Sequence, residues 1–402
     1  MKWKYIIGEI DLNRDLLLLL SIGTLYSLAT ALANTFVNVY LWKQSHDYTP
    51  IALYQISISI LQAITFIFVG KLAKRIDRVI ILRAGVTLLA LFYISVLFFK
   101  TETLLLTILI GMILGMGNGC YWLSFNLLNF EVTEPETRQF FNGFMGLLSS
   151  FSGMVGPIIA GYIISKMIDN KGYHVIFFVA MIFFICSVVL SFFLSKRELD
   201  SKYNLIRIFK ERQNNSNWKR ITYANFFQGT RDGIFLFVIS IYIYLATGSE
   251  LALGKYGLIT SLISFVTYYI VTRIIKPSFR KHAIFLGGLL LFLAVFFIVF
   301  KVNFSLLILY GITISIAYPI ILVPYLSLTF DIIGKAYKAR EYRVEYIVVR
   351  EVFLNSGRIF SVLTFLICIQ FIPPKVVIPV LMSIFGAGHF LVFFMVKNMK
   401  IQ

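Results

Sequence analysis

Twelve runs of about twenty apolar residues, each long enough to cross the hydrocarbon of a bilayer as a helix, restrict the fold of this 402-residue chain more than any other feature. They centre on residues 16–41, 50–70, 79–99, 103–129, 139–167, 174–195, 220–246, 255–275, 282–300, 303–330, 346–372 and 375–396. Lipid offers no partner to a backbone amide, so each run must satisfy its own hydrogen bonds as a helix. The spacing therefore predicts an all-α membrane protein with twelve transmembrane helices, numbered here as spans 1–12. At 59% apolar, the chain has too little polar surface to cover a soluble core.

A formal charge of +18 invites a nucleic-acid reading. With both termini placed in the cytoplasm, 28 of the 37 Lys and Arg fall on inner segments, seven on outer loops and two, Arg231 and Arg358, inside spans. That asymmetry is what membrane topology demands, and it leaves no call for nucleic acid. Lys2, Lys4 and Arg14 followed by LLLLL and Ala29-Thr30-Ala31 superficially match a secretory signal. The apolar run continues to Trp42, however, and removing it would put the chain ends on opposite sides, so it reads as a retained span 1. Cys120, Cys186 and Cys368 lie in apolar runs without CxxC or Cys/His pairing, so no disulfide or metal is expected. GxxxxGK[ST], HExxH and GxSxG motifs are missing, which argues against an enzyme, an ATP-driven pump or a bound cofactor and toward an ion gradient as energy source. The Lys-, Ile- and Asn-rich composition with short loops suggests a bacterial plasma membrane.

The long polar segment 196–218 divides the chain into an expected N-terminal six-helix bundle (1–195), a cytoplasmic central loop (196–218) and a C-terminal six-helix bundle (219–402). Ile206 and Phe209 could form a short interfacial helix with a basic face, or the segment could be a solvated linker. At a constant offset of 202, Lys74, Arg78 and Gly85 fall on Lys276, Arg280 and Gly287, a hint of internal repetition. Polar residues are unevenly shared among the spans. Spans 3, 6 and 9 carry no amide or charge in their apolar interiors, and span 12 carries only His389. Spans 1, 4, 7 and 11 carry Asn34 and Asn38, then Asn118, Asn126 and Asn129, then Asn225, Gln228, Arg231 and Asp232, then Asn355 and Arg358. Such groups must face protein or a water-filled cavity.

Segment 68–85 packs five basic residues between two apolar runs. It resembles the loop between helices 2 and 3 of the major facilitator superfamily, G-x-L-a-D-r-x-G-r-k. Gly70, Leu72, Ala73, Arg75 and Arg78 match, while Lys74 stands at the family's acidic position and Asp77 at its second glycine. The resemblance implies two pseudo-symmetric six-helix bundles, with both termini cytoplasmic, that rock about a central cavity lined by spans 1, 4, 7 and 10. In span 5, Gly143, Ser152, Gly156, Pro157, Ala160 and Gly161 resemble the family's antiporter motif, which implies proton-driven export; the other reading is a seam of small residues for helix packing. Expected gating residues are therefore Gly70, Arg75, Asp77 and Arg78, together with Gly143, Gly156, Pro157 and Gly161. Glu131, Glu134, Glu136 and Arg138 could latch onto the basic loop, and Glu351 sits at the entrance of span 11.

For chemistry, Asp232 stands out, halfway along span 7. Asn225, Gln228 and Asp232 share a helix face, whereas Arg231 points about a quarter-turn away. Burial raises a carboxyl pKa and a nearby Arg lowers it, which makes Asp232 the candidate proton carrier; a static ion pair is the alternative. On span 11, Glu351, Asn355 and Arg358 form a stripe at i, i+4 and i+7. Arg358 could hold an anion or neutralise Asp232. On span 4, Asn118, Trp122, Phe125 and Asn129 form an amide and aromatic stripe that suits an amphipathic ligand. The expected substrate-binding set is Asn34, Asn38, Asn118, Trp122, Asn126, Gln228, Arg231, Asn355 and Arg358. The function expected is proton-coupled export of an amphipathic small organic solute by a monomer in the lipid bilayer. Flipping of a lipid or lipid-linked sugar, nutrient uptake, and a non-transporting scaffold or sensor are the alternatives.

Overall fold

The structure, a computed structural model, describes residues 13–98, 103–133, 135–168, 170–195 and 203–399, without the side chains at 130, 135–140, 142, 143 and 277. Twelve helices long and apolar enough to cross a membrane are present among these residues. Spans 1–6 are Arg14–Ser45, Tyr48–Leu72, Arg78–Phe98, Leu104–Val132, Pro135–Lys166 and Lys171–Ser191. Spans 7–11 are Ser216–Thr247, Glu250–Ile274, Arg280–Val299, Phe304–Gly334 and Arg343–Phe371. Span 12 is built from Pro374–Gly386 and Gly388–Val396, which meet at Ala387. The chain is an integral multi-pass membrane protein of the all-helical kind.

The short connections begin helices with side-chain caps. Asn13, Asp47, Thr103, Asn215, Ser249 and Asn303 each accept a hydrogen bond from a backbone N–H in the first turn of the span that follows, which satisfies donors a helix start leaves open. Gly248 closes span 7 at φ 62°, a left-handed conformation that glycine adopts without a Cβ clash. In place of a purely solvated linker, the described part of the central segment holds a ten-residue helix, Leu205–Asn214. It packs on spans 7 and 11. Trp218 donates its indole N–H to the Ile208 carbonyl at 3.2 Å, and the Arg212 guanidinium stacks 4.3 Å from the Phe353 ring centroid.

Spans 3 and 6 pack within the first half and spans 9 and 12 within the second. The halves meet chiefly where span 2 lies along span 11, span 5 along span 8 and span 1 along span 7. The plain spans thus sit outside and the polar ones inside. The 202-residue offset has a physical counterpart. Arg78, opening span 3, reaches Glu131 at the end of span 4 at 2.5 Å; Arg280, opening span 9, reaches Asp331 near the end of span 10 at 2.6 Å.

Candidate functional site

Three glycines bring the chemistry of the second half together. A Cβ built at Gly229 or Gly357 would run into the carbonyl of Leu354 or Phe226, and one at Gly233 into Ser361 and the Arg358 backbone. Spans 7 and 11 therefore touch backbone to backbone, as small residues permit. That contact sets Asp232 beside Arg358, with Oδ2 and Nη2 3.8 Å apart. Their side chains remain 15% and 21% exposed. Gln228, one turn back on span 7, is within hydrogen-bonding reach of Asp232. Asn355, fully buried, accepts from Arg358 at 3.3 Å and donates to the Glu351 carbonyl at 3.0 Å. Arg350 bonds Glu351 directly.

Arg231 faces the other way, into the second half. Only 6% exposed, it stacks on Phe235 at 4.5 Å and meets the Tyr310 hydroxyl at 3.4 Å. Span 12 breaks against it: a Cβ at Gly388 would meet the Phe227 carbonyl, Thr230 and Arg231. In the first half, Tyr26 of span 1 organises span 4. Its hydroxyl donates to Asn118 at 3.2 Å and accepts from the Trp122 indole at 3.1 Å, and its ring stacks on Tyr121 at 3.9 Å. Trp122 nonetheless stays 37% exposed, and Asn126 is half-buried on the same span. Asn38 ties the halves together, donating to the Leu236 carbonyl and accepting from Gln55. Asn34 accepts from Tyr93 inside the first half.

At the end carrying the linker helix, a buried ion pair bridges the two halves. Lys74, at the position where the resembled family places an acid, is 2% exposed and pairs with Glu345, 0% exposed, at 3.1 Å across the two halves. Lys74 also donates to the Glu341 carbonyl, and Glu345 accepts from the Asn204 backbone. A Cβ at Gly70 would meet Val348 and Tyr203. Asp77 caps span 3 by accepting from Val79, and Arg75 is exposed. At the far end, Glu250 accepts from Lys43 and Tyr173, both at 3.0 Å. Span 5 seats Gly156 against Ala31 and Leu32 of span 1, and Pro157 and Gly161 against Gly254, Gly257 and Glu250 of span 8. This seam ends at Gly153 and Ser261. Gly146, two turns nearer the linker end, has open space around it. Glu134 and the side chains of Glu136 and Arg138 lie outside the described residues, as do the surroundings of Gly143.

Sequence reading did not single out Tyr26, Lys43, Glu250, Glu345 or the span 7 and 11 glycines. Gly229-xxx-Gly233 is a small-xxx-small signal that could have revealed the last of these; nothing in spacing marks the others.

Two bundles of six spans around a polar seam define a helical membrane transporter scaffold. The Major Facilitator Superfamily description matches residues 19–362, and the chain belongs to that family. Among curated relatives, the uncharacterized protein YqgE of Bacillus subtilis (strain 168) is 53% identical over 401 residues, covering 100% of this chain and 93% of that one. An uncharacterized protein in the sodM 3' region of Geobacillus stearothermophilus is 53% identical over 170 residues, 42% of this chain and 79% of its own. The crystal structure of the human organic anion transporter MFSD10 (TETRAN) shares the fold at TM-score 0.69 and 15% identity, covering 95% of this chain and 98% of that one.

Proposed function

We propose that this transporter is a proton-coupled carrier of an amphipathic organic solute bearing an acidic group, in which Asp232 takes the proton and Arg358 passes between Asp232 and the solute. The observation that carries this reading is the loose Asp232–Arg358 pair, at mid-span and partly open. Burial opposes a charged carboxylate and the nearby guanidinium supports it. A solute anion that captures Arg358 withdraws that support, so a proton follows onto Asp232. Linkage is reciprocal, and a protonated Asp232 in turn strengthens anion binding. Charge balance favours the same class: with Arg350 and Glu351 paired, Arg231, Asp232 and Arg358 sum to one positive charge deep in the membrane, where unbalanced charge is costly. Trp122 and Tyr26 would receive the apolar body. The human protein MFSD10, of the same fold, is an organic anion transporter, a parallel in substrate class.

Export by proton exchange is the second reading, supported by Gly156, Pro157 and Gly161 lying where span 5 meets spans 1 and 8. It requires proton and solute to compete for Asp232, as a cation or a neutral hydrogen-bonding solute would. In either reading the carrier works as a monomer in a bacterial plasma membrane, with the linker end in the cytoplasm. The test uses proteoliposomes holding a pH probe, challenged with anionic, cationic and neutral amphipaths. Protons moving with an anion support the first reading and protons moving against a cation the second. Proton flux undiminished in Asp232→Asn would sink both.

A further inference from the structure

We infer that the linker helix, Leu205–Asn214, rests in the headgroup zone of the adjoining leaflet and binds anionic lipid there. The helix has two unlike sides. Ile208 is fully buried against the protein, and Arg212 on the same side reaches the Thr222 hydroxyl at 2.9 Å. Glu211, the one acid of the helix, is half-buried and turned toward Tyr346. At 100° per residue, Ile206, Phe209 and Lys210 share the opposite, open side, where Ile206 is 69% and Phe209 48% exposed. Two large apolar side chains held together on the open side of a ten-residue helix are unfavourable in water and favourable at a lipid surface.

The packing of Phe209 fixes the level of the helix. Its ring stacks on Phe353 of span 11 at 5.9 Å, and Tyr223 of span 7 meets Phe353 edge-on at 6.5 Å. Phe353 heads a stripe continued by the exposed Phe360, Ile367 and Phe371. The stripe lies opposite Glu351, Asn355 and Arg358 on span 11 and so faces lipid. At 1.5 Å per residue, Phe353 to Phe371 covers about 27 Å, close to the ~30 Å of the hydrocarbon. Phe353 therefore marks the hydrocarbon edge at the linker end, and Phe209 carries the lipid-facing surface past that edge. Tyr223, exposed on span 7, is an amphipathic ring of the kind found at that depth. Lys210 on the open side of the helix and Lys219, one turn before Tyr223, are both exposed. Their long stems let the ammonium groups reach the phosphates of anionic headgroups. The leaflet thus grips the second half by its linker end, apart from the Asp232 seam.

The test places spin labels on the full chain, one chain per nanodisc so that contact between copies cannot mimic lipid. Labels go at Ile206→Cys, Phe209→Cys and, for reference, Asn214→Cys at the end of the helix, all exposed, in a background without Cys120, Cys186 and Cys368. Collisions with oxygen, which concentrates in lipid, are compared with collisions with an uncharged nickel chelate, which stays in water. The oxygen-to-nickel ratio should be several-fold higher at 206 and 209 than at 214. It should rise further at 206 in phosphatidylglycerol than in phosphatidylcholine, and Lys210→Gln with Lys219→Gln should remove that rise. Nickel reaching 206 and 209 as freely as 214 overturns the docking, whether the helix is then bare or meant for a protein. Equal ratios in the two lipids, or a rise undiminished in the double lysine variant, overturn the anionic headgroup as its ligand.

Discussion

Replacing Glu345 by Gln should open the linker end. The Lys74–Glu345 pair is almost wholly removed from solvent and joins residues on opposite halves. Deleting one member of a buried pair leaves the other charge unpaired, at a cost of about 3–5 kcal/mol. Lys74 keeps the Glu341 carbonyl at 2.6 Å and lies 5.6 Å from the Tyr342 ring, so the lower figure applies. At 1.4 kcal/mol per tenfold, 3 kcal/mol disfavours the closed linker end by roughly a hundredfold. Removing both charges, as in Lys74→Met with Glu345→Leu, leaves no buried charge unpaired and should restore closure toward wild type. Spin labels at Arg75→Cys and Gly334→Cys, both exposed, placed in a background without Cys120, Cys186 and Cys368, report the separation of the halves by pulsed electron resonance. The single variant should broaden and lengthen the distance distribution, and the double variant should return it toward wild type. Superimposable distributions for wild type and Glu345→Gln would refute the reasoning, as would a double variant as open as the single one.

Gly357→Val should destabilise the protein by about 1–3 kcal/mol, the usual cost of overpacking, because its Cβ would meet the Phe226 carbonyl; a melting temperature equal to wild type would contradict the backbone contact. The repeated Arg–acid pairs should differ in weight. Arg280→Ala removes a pair whose acid is 48% exposed and should cost under about 1 kcal/mol. Arg78→Ala, from a buried position, should cost several times more in the same denaturation assay. Glu341 lies outside the spans, and its hydrogen bond with Lys338 holds its carboxyl below the usual carboxylate range. The small stabilisation this brings is present above the unfolded-state pKa and is lost as pH falls through the folded one. Lys338→Ala should move the Glu341 midpoint upward in a carboxyl-observed titration, and an unmoved midpoint would count against the pairing.

The spans were legible because lipid imposes a length and a composition on every crossing helix, and the caps at Asn13, Asp47, Thr103, Ser249 and Asn303 bracket them. The inside–outside pattern was legible as well, since amides cannot face lipid. What the sequence hid were pairings across long separations. Lys74 reads as a departure from a loop pattern, and its meaning lies 271 positions later at Glu345, which looks like an ordinary charge at a helix entrance. Tyr26 reads as one more aromatic until its hydroxyl is found between Asn118 and Trp122. Asp232 and Arg358 were both conspicuous as mid-membrane charges, yet only the Gly229, Gly233 and Gly357 contact makes them neighbours. The linker helix was one of two readings of its segment, and the sequence did not favour it because its apolar anchors are few: Ile208 is buried, whereas Ile206 and Phe209, the residues that suggested it, stay exposed.

The most direct test of the central claim is the net charge moved per transport cycle, measured on a solid-supported membrane with a monovalent amphipathic anion that the wild type transports. One carboxylate taking one proton along with one anion makes the cycle electroneutral, so the account predicts little current in the wild type. It predicts a sustained anion current in Asp232→Asn, where the proton is lost and Arg358 still accepts the solute. Equal currents in the two proteins, or protons running against the anion, would contradict it.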